Sequence, residues 1–387
     1  MRRLRHPETE FKRRVGRIRR RMHQREIDTL LIFSTPGSMR YEQRGHVLYV
    51  SGYEPYFGDT MAILPSEKDQ EPVLQVDSAD YFPSECTWIE KIVHAQDLSA
   101  TVEEYLAEMG SKSKRIGVVG RGATPTRLSD RLRRNHRACE ILDASGILES
   151  ERSVKSEYEV EQIRNASAIA KIGFEAALDC ARPGLTEAAV VAETERACRL
   201  GGSEGFPHHT MVTSGKDQKH LEWWWYCGQR KFRKNDPWNL DFGTMFNGYC
   251  CDIARSFCLG EPTKRHVDLY ERLAEAEDAA RRAMVPGVMA SEVNKAVISI
   301  MRNDFDDDFS GIGHGVGLEV HEWPFVGYEY IKNDPVYVDR RLEENMILSV
   351  EPSIYSKDFG YLQIEDEFVV TKKGGQPLST IDKGLWR

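Results

Sequence analysis

The spacing of apolar positions divides the chain into two parts with different rhythms. Phe11, Val15, Ile18 and Met22 recur three and four residues apart, which predicts a first helix over about residues 9–27 with one apolar face. Short apolar runs then predict strands at Thr29–Phe33, His46–Val50, Met61–Leu64, Pro72–Val76 and Arg115–Val119. Thr126–Asn135 reads as a helix and Glu140–Asp143 as a last strand. Strands alternating with helices predict a sheet with helices packed on it, an α/β domain. Gly120-Arg121-Gly122 is a turn signal and carries no phosphate-binding fingerprint.

Charged residues (Glu149, Glu151, Arg152, Lys155, Glu157) crowd a boundary that sets the expected domains at 1–152 and 153–387. Beyond it, Val160, Ile163, Ser167, Ala170, Phe174 and Ala177 share one helical face, and Pro183-Gly184 ends that helix. Thr186 suits the N-cap of a helix over about 187–200, closed by Gly201-Gly202. Strands are predicted at Thr210–Thr213, Trp238–Phe242 and Tyr249–Leu259. Helices follow at about 266–284 and 290–304, then strands at Met346–Tyr355 and Tyr361–Thr371. The acidic cluster Asp304, Asp306, Asp307 and Asp308 reads as the solvated end of a helix.

Composition narrows the function classes. A chain of 387 residues suits two domains, and its net charge of −8 does not support nucleic-acid binding as the main task. Arginines and lysines from Arg2 to Arg25 crowd the N-terminus. Glu8, Glu10 and Glu26 interrupt them, and the apolar stripe favours the solvated face of a packed helix over an organellar presequence. No run of about 18 apolar residues suggests a membrane span. The eight cysteines form no C-x-x-C pair, so reduced thiols and a cytoplasmic location are expected.

The chemistry concentrates in the second part. Asn247-Gly248 signals a hairpin turn, and a loop from Met245 to Gly248 would set Asp241 and Asp252 directly opposite each other. Two facing acids on half-buried strands need protons, a cation or a metal; otherwise one of them faces solvent. Three glycines surround His314 in Gly313-His314-Gly-Val-Gly317, and His321 follows seven residues later. Glycines let the backbone come close to a ligand, and imidazole is a common metal ligand. Glu351 ends one apolar strand and Glu365 lies within another, where an acid is rarely buried without a partner. Four carboxylates and one imidazole suit Mn²⁺, Fe²⁺, Co²⁺ or Zn²⁺ and carry about enough charge for two such ions.

At these residues the sequence resembles the pita-bread metallopeptidases of family M24: methionine aminopeptidase, aminopeptidase P and prolidase. The motifs are Leu-Asp241-Phe-Gly, Gly-Tyr-Cys-Cys-Asp252-Ile-Ala-Arg-Ser-Phe, Gly-His314-Gly-Val-Gly-Leu-Glu-Val-His321-Glu-Trp-Pro324, Val-Glu351-Pro and Ile-Glu365-Asp. The resemblance implies an α/β creatinase-like N-terminal domain followed by an α+β pita-bread catalytic domain, in a homodimer. It implies a dimetal hydrolase of peptide or amide C–N bonds, with Asp241 on one metal, Asp252 and Glu365 bridging, and His314 and Glu351 on the second. Glu351 would also accept a proton. His321 would contact the substrate, as would His220, with His208 and His209 as lesser choices.

Two positions depart from the proline-specific pattern. Ser310 stands where those members carry the first histidine of His-x-x-Gly-His, and Gln363 stands where they carry arginine. Trp223, Trp224 and Trp225 could pack at a domain edge or form an aromatic wall for a cationic group. These features sustain an alternative: a relative acting on a small zwitterion, similar to dimethylsulfoniopropionate lyase or ectoine hydrolase. A catalytically inactive binding protein of this fold would have no need of five intact ligands.

Overall fold

The computed structural model describes residues 4–37, 44–81, 83–109, 114–120, 124–216, 228–301, 308–327, 338–356 and 360–383. The chain divides into two compact units, Met1–Arg152 and Ser153–Arg387.

The first unit runs α1 (Glu8–Gln24), β1 (Thr29–Ser34), α2 (Gly45–Ser51), β2 (Thr60–Pro65), β3 (Val73–Val76), α3 (Pro83–Cys86), β4 (Lys91–His94), α4 (Leu98–Met109), β5 (Arg115–Val119), α5 (Thr126–Asn135), β6 (Glu140–Asp143) and α6 (Ser145–Ser153). Its sheet has the order β4-β3-β2-β1-β5-β6, with β2 antiparallel to both neighbours and the other pairs parallel. Leu98, Val102 and Leu106 of α4 and Leu128 and Leu132 of α5 pack on Leu31, Ile63 and Ile116 of the sheet.

Two expectations fail here. His46–Val50 is helix α2, not strand, and all seven of its residues are buried. A short run that is apolar on every side has no period to read, and Gly52, at φ 80°, closes it as a helix C-cap does. The second failure is Arg14, expected on the solvated face of α1 and in fact fully buried beside Phe11 and Val15. Its guanidinium donates to Glu10 at 3.2 Å and to the Tyr49 carbonyl at 3.2 Å, and lies 4.4 Å from the Tyr49 ring centre.

The second unit runs α7 (Glu157–Cys180), α8 (Glu187–Leu200), β7 (Met211–Ser214), β8 (Pro237–Phe242), β9 (Met245–Phe246), β10 (Tyr249–Cys250), β11 (Ile253–Cys258), α9 (Lys264–Ala283), α10 (Ala290–Met301), β12 (Asp308–Gly315), β13 (Glu322–Val326), β14 (Ile347–Ser356), β15 (Gly360–Thr371) and β16 (Gly374–Pro377). Capping explains where the helices start. Ser156 and Glu159 form a reciprocal capping box at α7, and Thr186 accepts from the Ala189 N–H at α8.

The main sheet is antiparallel, in the order β13-β12-β14-β15-β11-β8-β7, with β16 on β15. Period-two alternation sorts its side chains. Trp238, Leu240, Phe242, Ile253 and Phe257 pack with α7 and α8, while Leu348, Val350, Ile354, Leu362, Ile364 and Phe368 pack with α9 and α10. The alternate positions Asn239, Asp241, Ser349, Glu351, Gln363 and Glu365 are therefore polar and share the other side. The helix is described as far as Met301, and the rest of its expected run to residue 304, with Asp304, Asp306 and Asp307, lies outside the described residues.

Candidate metal centre

The hairpin that carries the two aspartates differs from its expected register. Met245-Phe246 and Tyr249-Cys250 form a separate two-stranded piece around Asn247-Gly248. Across β8 and β11, Asp241 faces Ala254, not Asp252. The predicted continuous strand Tyr249–Leu259 breaks at Cys251-Asp252, where the Cys251 carbonyl presses so close to Gly243 that any Cβ there would collide with it. Asp252 lies two residues before Ala254, so the two carboxylates meet diagonally on the same side of the sheet.

His314 reaches the same place from β12. The flanking glycines serve packing between strands: a Cβ on Gly313 would strike the Ser349 carbonyl, and one on Gly315 the Trp323 carbonyl. Their role is to admit neighbouring backbone, where the sequence had suggested room for a ligand. The three glycines of β12 also hid that strand from periodicity.

Side chains from five separate segments converge. Ligand atoms lie within 4.8 Å of one another in three overlapping groups: His208, Asp241 and Asp252; Asp252, His314 and His321; His314, Glu351 and Glu365. His314 Nε2 is 3.7 Å from Asp252, 3.6 Å from Glu351 and 3.8 Å from Glu365. Its Nδ1 faces the Gly315 carbonyl at 3.1 Å, and its buried Nε2 has no hydrogen-bond partner. A proton on Nδ1, donated to that carbonyl, leaves the Nε2 lone pair aimed at three carboxylate oxygens.

Burial and mutual repulsion shape the electrostatics. Burial, then the charge of Asp252, pushes Asp241 up to about 7. The same two causes raise Glu365 and Glu351 well above the ordinary carboxylate range. Burial and then His321 depress His314 to about 3. Burial opposes charge on His208, yet Asp252 lifts it to about 9, and His208 Nε2 lies 2.9 Å from that carboxylate. His208 and His314 hold Asp252 below its usual range against burial.

A neutral chain of hydrogen bonds supports the cluster. Ser256 Oγ donates to Asn239, whose Nδ2 donates to Gln363 at 3.1 Å, and Gln363 Nε2 donates to Glu351 at 3.3 Å. Ser349 Oγ donates to Glu365 at 2.7 Å.

The structure thus brings together Asp241, Asp252, His314, Glu351, Glu365 and His321. His208, ranked low from sequence, belongs to the group, while His209 is exposed beside it. His220, Trp223, Trp224 and Trp225 lie outside the described residues. Gln363, singled out in the sequence, and Asn239 and Ser349, which were not, lie two residues from the acids on their own strands, so period-two counting could have found the latter two.

Excess buried carboxylate and an imidazole nitrogen without a partner form a donor set suited to divalent cations. The second unit holds this cluster, and such a donor set fits a metal-dependent enzyme. The sequence profile of Metallopeptidase family M24 matches residues 161–372, and the chain belongs to that family. The profile of the Creatinase/Prolidase N-terminal domain matches residues 14–154.

Among individual proteins, the chain is 27% identical over 374 residues to the Xaa-Pro dipeptidase of Pyrococcus horikoshii, covering 96% of this chain and 98% of that one. It is 33% identical over 246 residues to the Xaa-Pro dipeptidase of Lactobacillus delbrueckii subsp. lactis, covering 63% and 64%. The crystal structure of the Pyrococcus horikoshii prolidase superposes with a TM-score of 0.80 at 26% identity, over 96% of this chain and 99% of that one. The X-Pro aminopeptidase of Thermotoga maritima shares the fold, with a TM-score of 0.81 at 24% identity over 96% and 99%. Among the described residues no helix is long and apolar enough to cross a membrane.

Proposed function

We propose that this chain is a metal-dependent hydrolase of peptide C–N bonds, of the Xaa-Pro dipeptidase or aminopeptidase type. Asp241, Asp252, His314, Glu351 and Glu365 would hold two divalent ions, for which Mn²⁺, Fe²⁺, Co²⁺ and Zn²⁺ are all chemically suitable. The supporting observation is His314 Nε2, without a hydrogen-bond partner and 3.6–3.8 Å from three carboxylates. The full-length likeness to an Xaa-Pro dipeptidase supplies the substrate class.

When bound, the ions would polarise the scissile carbonyl and make a water nucleophilic near neutral pH. The remaining work falls to the protein. Glu351 takes the proton of the attacking water and delivers it to the amide nitrogen as the C–N bond breaks. Gln363 holds one Glu351 oxygen in place through its Nε2. His321, its ring 4.3 Å from that of His314 and partly exposed, donates to the substrate carbonyl oxygen. His220 and Trp223–Trp225 are assigned substrate contacts on sequence position alone.

One observation favours a second reading. Gln363 puts a neutral, fully buried amide beside Glu351 where proline-specific relatives carry an arginine, a change that suits a different, small zwitterionic substrate.

The test is to strip the protein with chelator, reload it separately with each of the four metals, and assay Xaa-Pro dipeptides and tripeptides beside dimethylsulfoniopropionate. Metal-dependent release of the N-terminal residue supports the peptidase. No peptide cleavage with any metal overturns it, and dimethyl sulfide release would install the second reading. A homodimer in the cytoplasm completes the proposal, and sedimentation equilibrium measures its stoichiometry.

A further inference from the structure

Four of the five proposed ligands sit on strands, where ladder hydrogen bonds fix the backbone. Asp252 is the exception, lying between β10 and β11. Its N–H donates instead to Glu367 Oε1 at 3.0 Å. The other oxygen of Glu367 accepts from Ser167 Oγ of α7 at 2.6 Å. Glu367 and Ser167 are 0% and 1% exposed, so bulk solvent does not reach either bond. Glu367 follows Glu365 by two residues on β15. One side chain thus joins the strand that carries one ligand, the backbone of a second and the helix behind them.

We infer that Glu367 is a positioning residue for Asp252, acting through the backbone amide and not through its charge. This rests on the proposed metal site. Without an acceptor at 367, a buried N–H loses its partner, and the turn that aims Asp252 is free to relax. Groups that orient metal ligands in this way typically account for about 10–100-fold in metal affinity.

Glutamine separates the anchor from the charge. Its carbonyl oxygen can still accept from the Asp252 N–H, and its amide can donate to Ser167 Oγ. Leucine fills similar space with no acceptor.

The experiment uses the full chain and two readouts: Zn²⁺ affinity by competition with a chromophoric chelator, and hydrogen exchange of the 249–256 backbone in metal-free protein. E367L should bind Zn²⁺ about 10–100-fold more weakly and exchange faster at Asp252. E367Q should match the wild type in both. The inference is overturned if E367L matches the wild type, or if E367Q falls as far as E367L, which would mark the effect as charge. Should E367L not fold, E367D decides on the same readouts, being one methylene too short to reach both partners. D252N serves as control: undiminished Zn²⁺ binding there would sink the site reading instead, and the exchange data alone would then judge Glu367.

Discussion

Glu365 and Asp366 are neighbours on β15, yet their surroundings differ in kind. Glu365 joins Asp252 and Glu351 around the His314 imidazole, with burial and like charge raising it well above the usual carboxylate range. Asp366 faces the opposite way, where Arg255 Nη2 contacts its two oxygens at 2.8 and 3.0 Å and Lys383 lies 3.4 Å away. Those cations hold Asp366 below the usual range despite burial. Glu277, bonded to Lys383, completes a cluster of two acids and two bases. One face of the sheet therefore neutralises its own charge, while the other keeps an excess that only protons or added cations can balance. A protein that needed only stability would have paired both faces; the unpaired one marks where a ligand is expected.

The largest effect should come from emptying the unpaired face. Asp252→Ala or Glu365→Ala should abolish metal binding and lower kcat/KM by about 10³-fold or more, since bound ions supply several kcal/mol at roughly 1.4 kcal/mol per tenfold. Metal analysis together with peptide turnover checks this. A mutant that kept its metals and full activity would show the site to be misassigned.

Next comes the paired face, where the sign for stability should reverse. Arg255→Met leaves Asp366 buried without its main partner and should cost about 3–5 kcal/mol of unfolding free energy. Glu365→Gln removes repulsion and should stabilise the metal-free protein. Denaturant unfolding of both variants in chelator makes the comparison, and equal signs would erase the distinction between the faces.

The pH dependence separates the faces further. In the metal-free protein Asp241 titrates near 7, against 3.8 for an ordinary aspartate. The folded state thus holds a proton that the unfolded state has lost, and stability falls as pH rises from about 4 to 7, by at most about 1.4 kcal/mol per unit for this group. Asp366 has the opposite sign: its stabilisation is present above about pH 4 and is lost only as pH falls below that. Glu277, pushed up to about 8 by burial and then by Asp366, adds a decline that metal cannot relieve. Unfolding measured across pH 4–9, with and without metal, should show the metal removing part of the slope. A slope unchanged by metal would place its whole origin on the paired face.

The same contrast explains what was legible in the sequence. Acids within apolar strands stand out against their neighbours, so Glu351 and Glu365 were readable, and Asp241 with them. Helices announced by caps, such as the one after Thr186, were readable too. The path of Asp252 was not: the break after Cys250 depends on Gly243 meeting the Cys251 carbonyl, a contact that no local pattern encodes. Arg14 was misjudged because a charge was assumed to face water, although a carbonyl and an aromatic ring from α2 receive it. His208 was undervalued because its partner, Asp252, is 44 residues away in the chain.

The smallest expected effect concerns Gln363, the neutral group on the unpaired face. Gln363→Met keeps the volume but removes the donor to Glu351, a hydrogen bond long enough at 3.3 Å to be worth about 1–1.5 kcal/mol. It also leaves Asn239 Nδ2 without its acceptor. Because Gln363 touches Glu351, kcat for an Xaa-Pro dipeptide should fall about tenfold while KM holds. A rise in KM alone would mean that this position meets the substrate directly. The neutral amide would then be a determinant of which substrate the unpaired face accepts, and the zwitterion reading would gain over the peptidase.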